Sequence, residues 1–192
     1  MSVTGFYIDD LGSYWQISEK YKSATKTHKD AVQCGDTITI SSAIMGYFLR
    51  VEETQFGLTT ELLPMVHGIQ SQNIDEKINF QIQCVEKGEE EEISYNDKIR
   101  LKHQITGKYV SLDPAYAYTE GNCGRGCSIA GQLELHALDG ADEVTTVFQI
   151  KTGLTFDPSY VNGPETATQW FNANFMMIYF KVAVLSIGNN NA

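Results

Sequence analysis

The sequence has little positive charge. Only 14 of its 192 residues are Lys or Arg, against 24 Asp and Glu, so the formal net charge is −10. Most of such a surface repels a phosphate backbone. The composition therefore argues against nucleic acid as a partner.

Long apolar runs are also missing. The longest, FMMIYFKVAVLSI at residues 175–187, contains a Lys and is too short to cross a bilayer, so we predict no membrane span. The N-terminal sequence MSVTGFYIDDLGSYWQ has neither the basic nor the apolar segment of a secretory signal. We therefore expect a cytoplasmic protein, and this expectation covers a location at the cytoskeleton or in a cilium. If the chain is a mature or trimmed form, the lumen of the endoplasmic reticulum is the alternative.

The sequence lacks the short motifs of known catalytic sites. It contains no GxSxG, HExxH, Walker or GxGxxG pattern, and only four His. None of these His lies at a catalytic spacing from a Cys, Ser or carboxylate. We therefore predict that the protein is not an enzyme, with no catalytic residue, no cofactor and no metal ligand.

Cysteine is scarce, with four residues in two settings. Cys34 and Cys84 lie in apolar, strand-like runs, where separate buried thiols are expected. Cys123 and Cys127 form the sequence CGRGC in a Gly-rich stretch without further zinc ligands nearby. They are a candidate disulfide or redox pair, with a plain flexible loop as the alternative.

What the sequence does contain is an internal repeat. QCGDTITISSAIMGYFL at residues 33–49 aligns without gaps with SYNDKIRLKHQITGKYV at residues 94–110. Apolar residues alternate in both copies, which predicts half-buried strands, and a shared Gly predicts the turn of a hairpin. The aligned pairs include Asp36 with Asp97 and Gly46 with Gly107.

A second kind of half-unit follows each copy. Both examples run through an apolar strand and an acidic turn into an aromatic residue followed by Gln-Ile, and residues 2–17 read as a third example. We expect Trp15, Phe80 and Phe148 at equivalent core positions. One first half is then missing in front of residue 2. By elimination, residues 174–186 supply it, so that three units close into a ring that the chain enters in mid-repeat.

These repeats carry a resemblance to a known family. ISYNDKIRLKHQITGKYVSL is similar to the MIR motif of protein mannosyltransferases and of inositol trisphosphate and ryanodine receptors. SVTGFYIDDLGSYWQISEKYKSATKTHKDAVQCGDTITI resembles the stromal-cell-derived factor 2 branch of that family. The resemblance implies an all-β fold, a β-trefoil of three pseudo-repeats over residues 1–152. Residues 153–192 lie outside the resemblance. We predict that they form a C-terminal extension in which 153–173 are a loop that contacts a partner, 174–186 complete the trefoil and 188–192 are disordered.

The candidate binding surface is a basic hairpin. Three cations alternate on one predicted strand and should share a face, which suits an anion or an acidic partner. A solvated outer face is the alternative. The candidate residues are Lys98, Arg100, Lys102, His103, Lys108 and Arg125.

From these features we predict a non-catalytic MIR-type binding or scaffold module. Its partners would be other proteins of a larger complex. A lectin-like trefoil that binds a glycan or a phosphate ligand is the alternative, and it requires a pocket lined by aromatic and amide side chains.

Overall fold

The structure is a computed structural model. It describes residues 3–5, 14–21, 32–42, 45–60, 62–151 and 177–181. The predicted loop at 153–173 and the predicted disordered tail at 188–192 lie outside these ranges, and those two predictions stay as they are.

Strands dominate the described residues, and helix is limited to single turns. The one α-helical turn, α1, is Glu120–Cys123, and short 3-10 turns cover Ser71–Asn73 and Glu76–Ile78. The strands are β1 (Thr4–Gly5), β2 (Tyr14–Glu19), β3 (Thr37–Ser42), β4 (Phe48–Phe56), β5 (Pro64–Ile69), β6 (Asn79–Cys84), β7 (Lys98–His103), β8 (Tyr109–Ala117), β9 (Leu133–Leu138), β10 (Phe148–Lys151) and β11 (Met177–Lys181). The prediction of an all-β fold is confirmed.

The strand pairings close on themselves. One circuit has seven strands in the order β3, β6, β7, β8, β9, β5 and β4. A second circuit passes through β2, β3, β6, β7, β10 and β11. Closure gives each strand of a circuit a hydrogen-bonded neighbour on both sides, which removes the exposed edges of an open sheet.

The same turn introduces β3 and β7. Asp36 accepts a hydrogen bond from the backbone N–H of Gln33 at 2.9 Å, and Asp97 accepts one from Ser94 at 2.6 Å. The residue before each Asp has a positive φ, 92° at Gly35 and 70° at Asn96. Asn tolerates this left-handed conformation better than most residues, which explains how Asn-Asp replaces Gly-Asp in the second copy.

The three repeated aromatic residues lie in the core, as predicted. Trp15, Phe80 and Phe148 are all buried. In the strand register Trp15 is paired with Ile178, Phe80 with Ile38 and Phe148 with Ile99. Each aromatic residue therefore stands opposite an Ile, and one of those Ile residues comes from β11 near the C-terminus.

The expectation that Cys34 and Cys84 are separate thiols is wrong. The two residues form a disulfide, with their Cα atoms 5.5 Å apart and 50 positions apart in the sequence. Because β3 and β6 are antiparallel with Thr37 opposite Gln81, the chain three residues before β3 reaches Cys84, the last residue of β6. Cys123 and Cys127 also form a disulfide, which was one of the alternatives for that pair.

Candidate functional site

The predicted basic strand is β7, and its side chains alternate as expected. Ile99, Leu101 and His103 are buried, whereas Lys98, Arg100 and Lys102 are wholly or partly exposed. The three cations thus share the outward face of the sheet. The alternation follows from the pleat, because successive side chains of a strand point to opposite faces.

Acidic and aromatic neighbours engage several of these cations. Lys98 Nζ lies 2.8 Å from Glu86 Oε1, and Lys108 forms an ion pair with Asp139. Lys102 Nζ lies 5.7 Å from the ring centroid of Tyr109, within the range of a cation–π contact. The face is therefore a mixed, locally paired surface, with less unmatched positive charge than the sequence indicates.

His103 belongs to the core side of the same strand. It is 1 % exposed, and its ring nitrogens lie 2.9 Å from Thr106 Oγ1 and 3.0 Å from the carbonyl oxygen of Lys77. Phe80 packs against the ring with centroids 5.5 Å apart. Burial lowers the pKa of His103, so the ring is neutral and its hydrogen bonds fix the β7–β8 turn.

Arg125 is not brought to the basic strand. It is exposed on the connection between β8 and β9, at the Ala117 end of β8, whereas Lys108 precedes the Tyr109 end. At a rise of about 3.3 Å per residue, the length of β8 separates the two by roughly 25 Å. The Cys123–Cys127 disulfide and a capping box between Thr119 and Asn122 hold the Arg125 loop.

A groove that the sequence did not single out lies on the β4–β5 hairpin. It is shallow and open, with a volume of about 640 Å³. Its walls come from both strands and their ends, and the lining residues are Tyr47, Gln55, Met65, His67, Gly68, Ile69 and Gln70. Aromatic, amide, imidazole and apolar groups therefore meet at one place.

His67 lies in this groove, and one of its nitrogens has no protein partner. Nδ1 is closed off from solvent without a hydrogen bond. Burial, together with the charge of Arg50, lowers the pKa of His67, so the ring is neutral. Nε2 of His67 is not closed off in this way, so it is the nitrogen of this ring that can meet a molecule in the groove.

The surroundings of His67 are electrically balanced. Arg50, its cross-strand neighbour, contacts Glu52 at 3.0 Å and Asp75 at 3.1 Å. Burial alone would raise the pKa of Glu52, but hydrogen bonds from Lys77 and Thr54 and the Arg50 charge outweigh it and lower the pKa. The groove therefore offers hydrogen-bonding groups beside an ion-pair network whose charges already meet.

A buried carboxylate anchors the connection after β4. Glu134 on β9 is 1 % exposed and accepts hydrogen bonds from the backbone N–H of Leu58 (2.9 Å) and of Thr59 (2.7 Å). The hydroxyls of Thr59 and Tyr118 add bonds of 2.5 and 2.7 Å. Burial opposes ionisation, yet these four bonds outweigh it and lower the pKa of Glu134. A charged side chain thus ties the two hairpins together.

The connection that Glu134 holds presents large apolar side chains to solvent. Phe56, Leu58 and Leu62 are 50 %, 56 % and 82 % exposed. Single exposed apolar residues are common on protein surfaces, but three on one short, anchored connection are typical of a contact surface. We call residues 56–60 together with Leu62 the apolar connection.

The described residues show neither a grouped metal site nor a membrane helix. No three His, Cys, Asp or Glu side chains among them are placed to hold a metal ion. Within the same ranges, no helix has the length and apolar character needed to cross a membrane.

The sequence carried a signal for the groove in its second half-units. His67 and His136 occupy the same register position of β5 and β9, opposite Arg50 and Ser111. An alignment of those two strands on their His residues would have shown that His67 and His136 are equivalent positions of the repeat. Which His opens to a groove depends on neighbouring side chains, and the alignment alone does not reveal that.

No family model matches the chain, and no curated protein sequence matches it significantly. Solved structures of similar fold include the following two. A Caenorhabditis elegans protein of unknown function shares 24 % identity over 76 % of this chain and 75 % of that chain, with a TM-score of 0.62. The SDF2-like protein from Arabidopsis thaliana shares 19 % identity over 80 % and 81 %, with a TM-score of 0.64.

This chain folds like the SDF2-like protein. The resemblance drawn from the sequence to the stromal-cell-derived factor 2 branch is thereby confirmed as a likeness of fold. At these identities the likeness establishes the fold alone.

Proposed function

We propose that the chain is a non-catalytic β-trefoil binding module that acts as a subunit of a larger protein complex. The apolar connection carries the proposal, because three exposed apolar side chains stand on a connection that a buried carboxylate anchors at Leu58 and Thr59. Anchoring lowers the conformational entropy that a partner must remove on binding. The basic hairpin and the Arg125 loop remain proposed contacts of second rank.

The trefoil part of the proposal rests on the second strand circuit. It has six strands, in which β2, β6 and β10 carry the three aromatic residues and β11, β3 and β7 stand opposite them. On this proposal residues 174–186 complete the ring begun by residues 1–152. The segment 153–173 is proposed as a further partner contact.

The phosphate form of the ligand-binding alternative has weak support. A phosphate site needs several convergent donors with unmet positive charge. Here Lys98 and Lys108 are each paired with a carboxylate, and Arg125 stands at the far end of β8. The glycan form is favoured by the groove on the β4–β5 hairpin, whose lining contains amide, hydroxyl and imidazole groups and no Asp, Glu, Lys or Arg.

The two disulfides favour an oxidising compartment, which supports the lumen of the endoplasmic reticulum over the cytoplasm. Disulfides persist in secretory compartments and are rare where thiols are kept reduced. Thiol labelling of unfolded protein isolated from its native source without reductant tests this placement. We expect no free thiol among the four cysteines, and four free thiols would refute it.

Affinity capture from native extract, followed by quantitative mass spectrometry, tests the binding function. The bait variants are Phe56→Ser combined with Leu62→Ser, and Ile105→Ser as the matched control. Ile105 is 55 % exposed on a different turn, so the control removes exposed apolar area outside the apolar connection. We expect the wild type and the control to retain a stoichiometric set of proteins, and the double variant to retain about tenfold less.

Two outcomes would overturn parts of the proposal. A wild-type chain that is recovered alone would refute the role as a complex subunit. An undiminished set on the double variant would refute the apolar connection as the contact surface.

A further inference from the structure

The β8–β9 hairpin has equivalent positions for all the residues that line the groove on the β4–β5 hairpin, but, apart from the shared His, the side chains at those positions differ. Arg50 pairs with His67 in the first and Ser111 with His136 in the second, and both first strands carry a bulge near their ends. Every side chain of the groove therefore has an equivalent in the other hairpin, and the two sets can be compared position by position.

The counterpart of the groove is filled by a tyrosine. His136 is fully buried, and the ring of Tyr116 lies against it edge-on, with centroids 5.1 Å apart. The position of Tyr116 is taken by Gln55 in the first hairpin, and Gln55 is exposed at the border of the groove. The groove exists because an amide stands where the equivalent hairpin has an aromatic cover.

The rim of the groove is neutral where its counterpart is ionic. Lys108 and Asp139 form an ion pair at the base of the β8–β9 hairpin. The equivalent residues in the first hairpin are Tyr47 and Gln70, and Gln70 Nε2 donates a hydrogen bond to Tyr47 Oη at 3.2 Å. The charges that could attract an ionic ligand have been replaced by groups that both donate and accept hydrogen bonds.

We propose that this groove binds an uncharged, hydroxyl-rich ligand, namely a sugar residue of a neutral glycan. The carboxamides of Gln55 and Gln70, the Tyr47 hydroxyl and His67 Nε2 supply donors and acceptors for neighbouring hydroxyl groups. Met65 and Ile69 supply apolar surface for the carbon face of the ring. The volume of about 640 Å³ lies in the usual range of small-ligand sites.

Strand addition by a peptide is unavailable at the groove. Met65, His67 and Ile69 share one face of β5, so a molecule in the groove meets side chains and not the strand edge that an added peptide strand requires. A peptide would have to bind through side chains alone, with no charged group to meet. The observations therefore favour a glycan. The inference does not depend on the apolar connection or on membership of a complex.

The test applies the full chain, with its disulfides intact, to an array that carries neutral glycans and acidic ones, both sialylated and sulfated. We expect retention on a subset of the neutral glycans. The best of these is then titrated while the backbone amides are followed by NMR, and we expect saturable shifts at Gly68, Ile69 and Gln70. Retention of no neutral glycan, or of acidic glycans alone, would overturn the proposal.

The decisive variant is Gln55→Tyr, which places in the groove the ring that Tyr116 places over His136. The equivalent hairpin accommodates that ring, so we expect a folded protein whose affinity for the same glycan falls about tenfold or more. Gln104→Tyr is the matched control, because Gln104 is exposed on the β7–β8 turn and lines no part of the groove. Equal loss in both variants, or undiminished affinity in Gln55→Tyr, would place the ligand elsewhere.

Discussion

The hairpins β4–β5 and β8–β9 have the same backbone and different chemistry. Their registers correspond residue by residue, both have a bulge, and both place a His at the same position. Yet one His is fully buried under Tyr116, whereas the other opens to a groove. A repeated backbone can thus hold a structural element in one copy and a recognition surface in another, with only a few side chains deciding between them.

The largest difference is at the position shared by Met65 and Glu134. We expect Glu134→Met to lower the free energy of unfolding by about 3 kcal/mol, because the four donors around it lose a charged acceptor inside the protein. Met65→Leu, at the equivalent position of β5, should cost less than about 1.5 kcal/mol. Urea unfolding measures both, and equal effects would contradict the anchoring role of Glu134.

The second-largest expected effect concerns the connections that join the two strands of each hairpin. That of β8–β9 is closed by the Cys123–Cys127 disulfide, over a separation of 4 positions. Replacing both cysteines by Ser should lower stability by about 2 kcal/mol, because a short closed loop restricts the unfolded chain modestly. Thermal unfolding without reductant measures the change. An unchanged transition would show that the capping box alone holds this loop.

Exchanging the cover residues should give opposite results in the two hairpins. Tyr116→Gln uncovers His136 and removes an aromatic contact, so we expect a loss of about 1 kcal/mol. Gln55→Tyr adds apolar contact over His67 and should leave stability unchanged or slightly higher. Equal losses in both variants would mean that the groove has no room for the ring.

The two His residues should also respond differently to acid. Burial lowers the pKa of His136 below its ordinary value of 6.5, so the unfolded chain takes up a proton before the folded one does. The contribution of His136 to the free energy of unfolding is therefore fully present above pH 6.5. It falls as the pH drops from 6.5 towards the lower pKa of His136 in the folded protein. His136→Phe should flatten this fall more than His67→Phe, since His67 is only partly buried. Chemical unfolding at a series of pH values measures it.

The carboxylates act in the same direction at lower pH. Glu134 has a folded pKa below its ordinary 4.5, so its contribution is present above that value and is lost as the pH falls through the folded pKa. When the pH is lowered below about 4.5, the free energy of unfolding of Glu134→Gln should therefore fall by less than that of the wild type. A parallel decline in both proteins would show that other carboxylates dominate.

The smallest expected change in stability concerns the residue pairs at the base of the two hairpins, Lys108–Asp139 and Tyr47–Gln70. Asp139 is 87 % exposed, so its ion pair with Lys108 should contribute only about 0.3–0.5 kcal/mol and should weaken in salt. Asp139→Asn should lower stability by that amount at low ionic strength and by almost nothing in concentrated sodium chloride. The Tyr47–Gln70 bond is neutral, so Gln70→Ala should have an effect that salt leaves unchanged.

Local pattern was enough to predict the framework of the fold. The alternation of apolar residues predicted β3 and β7, and the gapless alignment of their copies agrees with the repeated turns at Asp36 and Asp97. The aromatic-Gln-Ile segments predicted the buried positions of Trp15, Phe80 and Phe148. Each of these predictions depends on neighbours in the sequence and on the pleat of a strand.

Features that depend on strand pairing, hairpin register and strand length were missed. The Cys34–Cys84 disulfide joins residues that meet only because β3 pairs with β6. The groove required knowing that Gln55 lies beside His67, which follows from the hairpin register and the bulge. The separation of Arg125 from the basic strand likewise reflects the length of β8. Spacing along the chain contains none of this information.

The position of β11 bears on how the protein is made. This strand lies between β2 and β10, and it is the last described strand to leave the ribosome. Until it emerges, β2 and β10 each have a strand edge without its final neighbour, and such edges pair readily with strands of other chains. A chain whose synthesis stops before Met177 would therefore expose the unpaired edges of β2 and β10, which are prone to aggregation. The emergence of β11 thus marks the point at which the ring can close during synthesis.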